Sequence, residues 1–258
     1  MGCMRSWGWC SGIEDAGQLR TLGFDYIECA VVSLSLENES EYKERLSLFL
    51  ESPLPVRAMN IFFPGDLKVV GPDVDDARIA RYVDKAAEAL HRIGVETVVL
   101  GSGKARHSPD GWEPLRAADQ FLRLVNRMAD AFAGTGTVLA IEPLNRKETN
   151  LVTTIAEAVS FAEQVNRPEV RVLADFYHMQ EEGDPLTSLV AHSKWLRHVH
   201  LADTGRFSPG TGTYPYADFA AALNQAGYTG TISAECTVKD KEQELPVSLD
   251  FMRRVFER

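Results

Sequence analysis

The chain is predicted to fold as a closed (β/α)8 barrel, and three observations lead there. Strand and helix signals alternate along the whole sequence, eight of each, which calls for a parallel sheet covered by helices. The length, 258 residues, is close to the ~250 residues such a barrel commonly takes, whereas an open doubly wound sheet fits eight units less well. Four strand-like runs finish on a residue able to bind a metal: Glu142, Asp175, His200 and Glu235, each about one β/α unit from the next. No linker rich in Ser, Gly or Pro and no shift in composition divides the chain, so residues 1–258 read as one domain.

Taken in order, residues 3–9 are the predicted first strand and 13–22 a short helix that stops at Gly23. Phe24 to Glu28 is the second strand, followed by a helix over 38–51 with Tyr42, Leu46 and Phe49 on one face. The third strand runs from Val56 to Phe62 and is closed by the turn signal Pro64-Gly65. Ile79, Val83, Ala86, Leu90 and Ile93 recur at helical spacing, with Asp73, Asp75 and Asp76 at the positive end and Gly94 as the stop. Val95 to Leu100 is the fourth strand. The helix after it carries Leu115, Ala118, Leu122, Val125, Ala129 and Phe132 and ends at Gly134. Thr137 to Glu142 is the fifth strand, cut off by Pro143, which removes a ladder donor.

Thr154-Ile155-Ala156-Glu157 is a capping box that starts the fifth helix. Val170 to Asp175 is the sixth strand, with a shorter helix over about 185–193, and Leu196 to His200 is the seventh. Tyr216, Phe219, Leu223 and Ala226 belong to a helix stopped by Gly227. Gly230 to Glu235 is the eighth strand, and 244–257 supply the last helix.

Composition narrows the function. The chain is 45% apolar and 25% charged, the profile of an ordinary globular protein. No apolar run approaches the ~18 residues a membrane span needs, and the N-terminus lacks the pattern of a signal peptide. A cytoplasmic enzyme is therefore expected. A net charge of −10 argues against nucleic acid as a partner, since phosphate binding needs concentrated Lys and Arg. Cys3, Cys10, Cys29 and Cys236 form no CxxC pair and read as reduced, mostly buried residues.

In a (β/α)8 barrel the active site lies at the C-terminal ends of the strands, where residues closing the strands can point into the mouth. Two glutamates, an aspartate and one histidine make an oxygen-rich donor set. That set suits a hard or borderline divalent ion such as Mn2+, Mg2+ or Co2+ better than a structural zinc. Three further residues stand near these positions. His178, three after Asp175, could be another ligand, a substrate donor or a structural histidine. Glu148 could reach the mouth from its loop, and Arg206 in a mobile-looking loop could bind a substrate oxygen or a carboxylate. Gly101-Ser102-Gly103-Lys104 does not fit a phosphate loop and reads as a turn. His107, His91 and His192 read as surface residues, and His198, which shares strand parity with His200, as a hydrogen-bonded group one layer deeper. Trp7 and Trp9 fit either a pocket wall or core packing.

The sequence resembles the sugar isomerase/epimerase family with a xylose-isomerase-like barrel, which includes ketose 3-epimerases, inosose isomerase and hydroxypyruvate isomerase. The matching pieces are Ile141-Glu142-Pro143-Leu144-Asn145-Arg146 with Glu148, Asp175-Phe176-Tyr177-His178, His198-Val199-His200-Leu201-Ala202-Asp203 with Arg206, Gly210-Thr211-Gly212, and Gly227-Tyr228-Thr229-Gly230 leading to Ser233-Ala234-Glu235. Gly23-Phe24-Asp25-Tyr26-Ile27-Glu28 resembles the family's second strand. The resemblance implies one divalent ion, Mn2+ favoured and Mg2+, Co2+ or Zn2+ as alternatives, bound by Glu142, Asp175, His200 and Glu235. It implies a keto sugar or related polyol ketone as substrate and a cis-enediolate on the way. Glu142 and Glu235 match the carboxylates that remove and return the proton, while Glu148, His178 and Arg206 match positions that hold the substrate or support those carboxylates. A homodimer is a further expectation from the family. A dehydratase or lyase would start from the same enediolate. An apurinic endonuclease of this fold would need more histidines at the strand ends, and a non-catalytic sugar-binding barrel is the remaining alternative.

Because the cysteines fall on separate strands without pairing logic, thiol titration of the unfolded, unreduced protein is expected to find all four cysteines free. Two or fewer free thiols would contradict that reading.

Overall fold

Short runs rich in Val, Ile and Leu become strands when both of their faces are covered, and here the interior of a closed sheet covers one face and helices the other. The structure, a computed structural model, describes residues 5–257. The first two residues of the predicted first strand, Cys3 and Met4, lie outside them. The strands are β1 (Ser6–Cys10), β2 (Tyr26–Ala30), β3 (Val56–Asn60), β4 (Thr97–Leu100), β5 (Val138–Ile141), β6 (Val170–Asp175), β7 (Leu196–Leu201) and β8 (Thr231–Ala234). They pair in parallel in sequence order, and β8 closes on β1.

The α-helices are α1 (Ala16–Leu22), α2 (Glu39–Leu50), α3 (Asp76–Ile93), α4 (Gly103–Arg106), α5 (Pro114–Phe132), α6 (Ile155–Val165), α7 (Phe176–Glu182), α8 (Thr187–Ala191), α9 (Tyr216–Gln225) and α10 (Lys241–Phe256). In α3 the side chain of Asp75 caps the Arg78 amide at 2.9 Å, and Ile79, Val83, Ala86 and Leu90 are buried. Thr154 caps Glu157 N as the capping box requires, but the Glu157 carboxylate returns to the Thr153 amide rather than to Thr154.

Several boundaries differ from the sequence reading. Strict alternation of eight helices is broken by α4 and α7, both too short to leave a periodic signature and both at the barrel mouth. The segment 185–193 splits into α8 and a 3-10 turn, Ser193–Trp195. β2 continues two residues past Glu28, and β3 stops at Asn60 because Ile61 turns to φ 41°. In α5 the buried face runs through Ala117, Phe121, Leu124, Val125, Met128 and Phe132, leaving Leu115 78% exposed. Two apolar series overlap along that helix, and the bulk of Phe121 and Met128 decides between them.

Side chains alternate along each strand, so residues two apart share a face. Inside the barrel Val99, Ala140 and Leu173 form a small apolar cluster. The Tyr26 hydroxyl meets Ser233 Oγ at 2.8 Å, and His198 lies in the same lower part of the interior, fully buried. Two positions onward from Ala140, Leu173, His198 and Ser233 come Glu142, Asp175, His200 and Glu235. Trp7 and Trp9 point the other way and pack on Phe256 and Phe24 between sheet and helices, so they do not wall the pocket.

The outer layer reaches the site through Phe176, which directly follows Asp175 and stacks on Phe219 of α9 with ring centroids 4.2 Å apart. Phe219→Ala is expected to cost about 3–5 kcal/mol, the range for deleting a buried aromatic ring. Urea unfolding should show this as a lower midpoint at unchanged slope.

Candidate active site

Four strands deliver the donor groups to one end of the barrel. Glu142 follows β5, Asp175 closes β6, His200 lies in β7 and Glu235 follows β8, with Asp175 directly opposite His200 in the sheet register. One ligand atom from each residue lies within 4.8 Å of the others. From His200 Nδ1 the distances are 3.2 Å to Glu142, 3.6 Å to Glu235 and 3.8 Å to Asp175. Donors about 2.1 Å from a common cation are separated by roughly 3.0–3.4 Å in octahedral or tetrahedral arrangements, so small movements suffice to close around one. Gly101 makes room for this: a β-carbon there would sit 2.1 Å from Glu142 Oε2. Buried acids and imidazole in that geometry fit a divalent ion.

Asp175 divides its two oxygens. Oδ1 accepts the His178 amide at 3.0 Å and caps α7, while Oδ2 faces His200. The cap brings His178 into the mouth. Its Nδ1 accepts from the Asn145 backbone amide at 3.1 Å and side-chain amide at 2.8 Å, which puts the hydrogen on Nε2. His178 Nε2 is buried without a partner. It is a donor left free for something that enters the site.

Arg206 donates to Glu148 Oε1 and Glu235 Oε2, both at 2.7 Å, and its guanidinium carbon lies 5.3 Å from the Tyr177 ring centroid. Its loop is tied down rather than loose. The Asp203 carboxylate accepts backbone amides from Thr204, Gly210 and Tyr214, at 2.8, 3.1 and 3.2 Å, and a β-carbon at Gly212 would come 2.4 Å from Asp203 Oδ1. A cavity of about 540 Å³ opens beside these groups. Glu142, Glu148, Arg206 and Glu235 line its polar side, and Ile61, Phe63 and Leu144 its apolar side. Ser102, Gly103 and Lys104, read as a turn, open α4 at its rim. His107 and His91 are exposed and His192 half-buried.

Burial raises the Glu142 carboxyl above its ordinary value, against a hydrogen bond from His200. Burial also works against the charge of Asp175, but His178, His200 and Arg206 hold it below the usual range. Burial disfavours a charged His200, yet Glu28, Glu235 and Glu142 hold its imidazole well above the ordinary value.

Some supporting residues escaped the sequence reading. Glu28 lies fully buried against His198 and His200, and Asn60 donates to Glu235 Oε1 at 2.7 Å. Arg106, also buried, donates to the carbonyls of Leu100 at 2.9 Å and Glu142 at 2.7 Å, holding β4 and β5 together at the mouth. Glu28 did have a signal: Tyr26-Ile27-Glu28 is an apolar run closed by a carboxylate, like those that end on Glu142, Asp175 and Glu235. Arg106 had none.

Comparison with known proteins adds kinship. A family profile described as xylose isomerase-like TIM barrel matches residues 17–255. The 3-dehydro-D-guloside 4-epimerase of Escherichia coli (strain K12) is 27% identical over 257 residues, 93% of this chain and 94% of that protein. The L-ribulose 3-epimerase of Methylomonas sp. (strain DH-1) is 31% identical over 224 residues, 85% of this chain and 76% of that protein. The crystal structure of a 3-keto-D-glucoside 4-epimerase from E. coli, in its apo form, superposes with a TM-score of 0.79 at 25% identity, covering 97% of this chain and 99% of the other. The relatives named here are all sugar epimerases.

Because protons compete with a cation for His200 Nδ1, binding of Mn2+ is expected to be accompanied by proton release. Calorimetry in buffers of different ionisation enthalpy measures this directly. Affinity should fall as pH is lowered below the raised value of His200, and a pH-independent affinity would contradict the placement of its Nδ1 in the site.

Proposed function

This chain belongs to the xylose isomerase-like TIM barrel family, and from that premise we propose that it is a divalent-metal-dependent isomerase or epimerase of a keto sugar or related polyol ketone. The whole chain would act as one catalytic domain, and the reaction is proton transfer through a cis-enediolate of the substrate. The observation that supports this most is the pairing of two carboxylates, Glu142 and Glu235, beside an unpartnered buried donor, His178 Nε2.

Glu142, Asp175, His200 and Glu235 would hold the ion. Mn2+ suits this donor set, with Mg2+, Co2+ or Zn2+ as the other candidates. When bound, the ion supplies Lewis-acid polarisation of the substrate carbonyl and so makes the neighbouring C–H more acidic. The chain's own groups move the proton. One carboxylate of the Glu142–Glu235 pair takes it from carbon as the C–H bond breaks, and the electron pair passes into the enediolate. The other carboxyl, or the same one, returns a proton. Return to the opposite face gives an epimer, and return to the adjacent carbon gives an isomer.

Glu142 suits a proton carrier because burial raises its carboxyl above the ordinary value. Glu235 is oriented by hydrogen bonds to both its oxygens, from Asn60 and Arg206. His178 Nε2–H and the Arg206–Glu148 pair place the sugar oxygens so that the reacting carbon faces the carboxylates. Ile61, Phe63 and Leu144 give the cavity an apolar lining beside these polar groups.

Turnover of an active ketose in D2O is expected to place solvent deuterium on the carbon next to the carbonyl. Turnover without any exchange would point to a hydride shift or shielded transfer. Glu142→Gln and Glu235→Gln should each lower kcat by at least ~10²-fold, the loss typical of a missing general base. His178→Ala should slow the reaction while leaving metal affinity in place.

A further inference from the structure

Glu28 has no part in the reaction as proposed, yet it is a fully buried acid at the centre of the barrel. Placing a carboxylate there is costly unless each oxygen is satisfied. Its Oε2 lies 2.8 Å from His198 Nε2 and its Oε1 2.9 Å from His200 Nε2. An ionised carboxylate only accepts, so both Nε2 atoms carry hydrogen. His198 is anchored in turn through Nδ1, 2.7 Å from Thr231 Oγ1.

The consequence falls on the other nitrogen of His200. With hydrogen fixed on Nε2, Nδ1 is the nitrogen that faces Glu142, Glu235 and Asp175, at 3.2, 3.6 and 3.8 Å, and the one whose lone pair a cation would take. In the opposite tautomer His200 would aim an N–H at those carboxylates and offer a cation nothing.

We propose that Glu28 is a positioning residue of the metal site, which selects the His200 tautomer able to bind a cation through Nδ1. His198 acts as the strut that keeps Glu28 in place. The inference rests on the reading of Glu142, Asp175, His200 and Glu235 as a metal site. A carboxylate is needed because an amide of the same shape has one accepting and one donating end. It can satisfy one histidine as now and forces the other into the wrong tautomer. Glu28→Gln therefore divides His200 between a binding and a non-binding form.

The test is Mn2+ titration calorimetry on the full-length wild-type, Glu28→Gln and His198→Gln proteins, with thermal unfolding of the metal-free forms as the control for folding. Glu28→Gln should bind Mn2+ ~10–100-fold more weakly, the usual effect of losing the group behind a metal-binding histidine. His198→Gln, which leaves the Glu28–His200 bond intact, should lose much less. In the Mg2+-loaded wild type, long-range 1H–15N correlation NMR should show His200 protonated at Nε2, a signature that a merely structural role for Glu28 would not require. A folded Glu28→Gln protein with wild-type affinity would overturn the inference and leave the metal site standing. A His200 protonated at Nδ1 in the Mg2+-loaded wild type would overturn it even where Glu28→Gln fails to fold. A wild type that binds no Mn2+ would remove the metal-site reading and the inference with it.

Discussion

Three carboxylates held within 4.8 Å of one another, largely out of water, repel each other, and much of the barrel mouth is arranged around that repulsion. Positive and donating groups approach the cluster from every side. His200 sits among the carboxylates, Arg206 and Asn60 take the two oxygens of Glu235, and the α7 amide takes one oxygen of Asp175. The cluster is still one charge type in excess, and a divalent cation is the economical remedy. These hydrogen bonds hold the acids within 4.8 Å of one another.

How much of this was legible depended on whether the signal was local. Glu142, Asp175 and His200 stand out because an apolar run ends, or nearly ends, on a group that does not belong in a core, and counting by two then places His198 one layer below His200. Glu28 obeys the same pattern but lies two residues short of the end of β2, beside a register shift between β2 and β3. Its depth depends on the stagger of neighbouring strands, which no single stretch of sequence encodes. The α5 face was misjudged for a related reason. Periodicity finds an apolar stripe, but two stripes overlapped, and the bulk of Phe121 and Met128 decided which of them is buried.

The loops were the least legible part. Ile61, Ser102, Val152 and Arg206 all have positive φ, at 41°, 45°, 61° and 62°, and all lie in connections at the mouth. Branched residues such as Ile61 and Val152 rarely adopt this conformation, so it holds only where surroundings over-determine it. At Val152 the surroundings are visible: its carbonyl accepts from the Leu144 amide and from Arg106, both at 3.2 Å. Such strain collects at the rim of the site rather than in the strands beneath it.

The divided Asp175 carboxylate ties two properties that a designer would wish to adjust separately. One oxygen faces His200, where the proposed ion would sit, and the other accepts from the first turn of α7, which carries His178. A longer acid at this position could chase a larger ion only by giving up the cap, and a neutral isostere would keep the cap while weakening the hold on the ion. On the proposed function, a change at β6 that altered the ion would also turn the His178 imidazole, so the two traits would evolve as one.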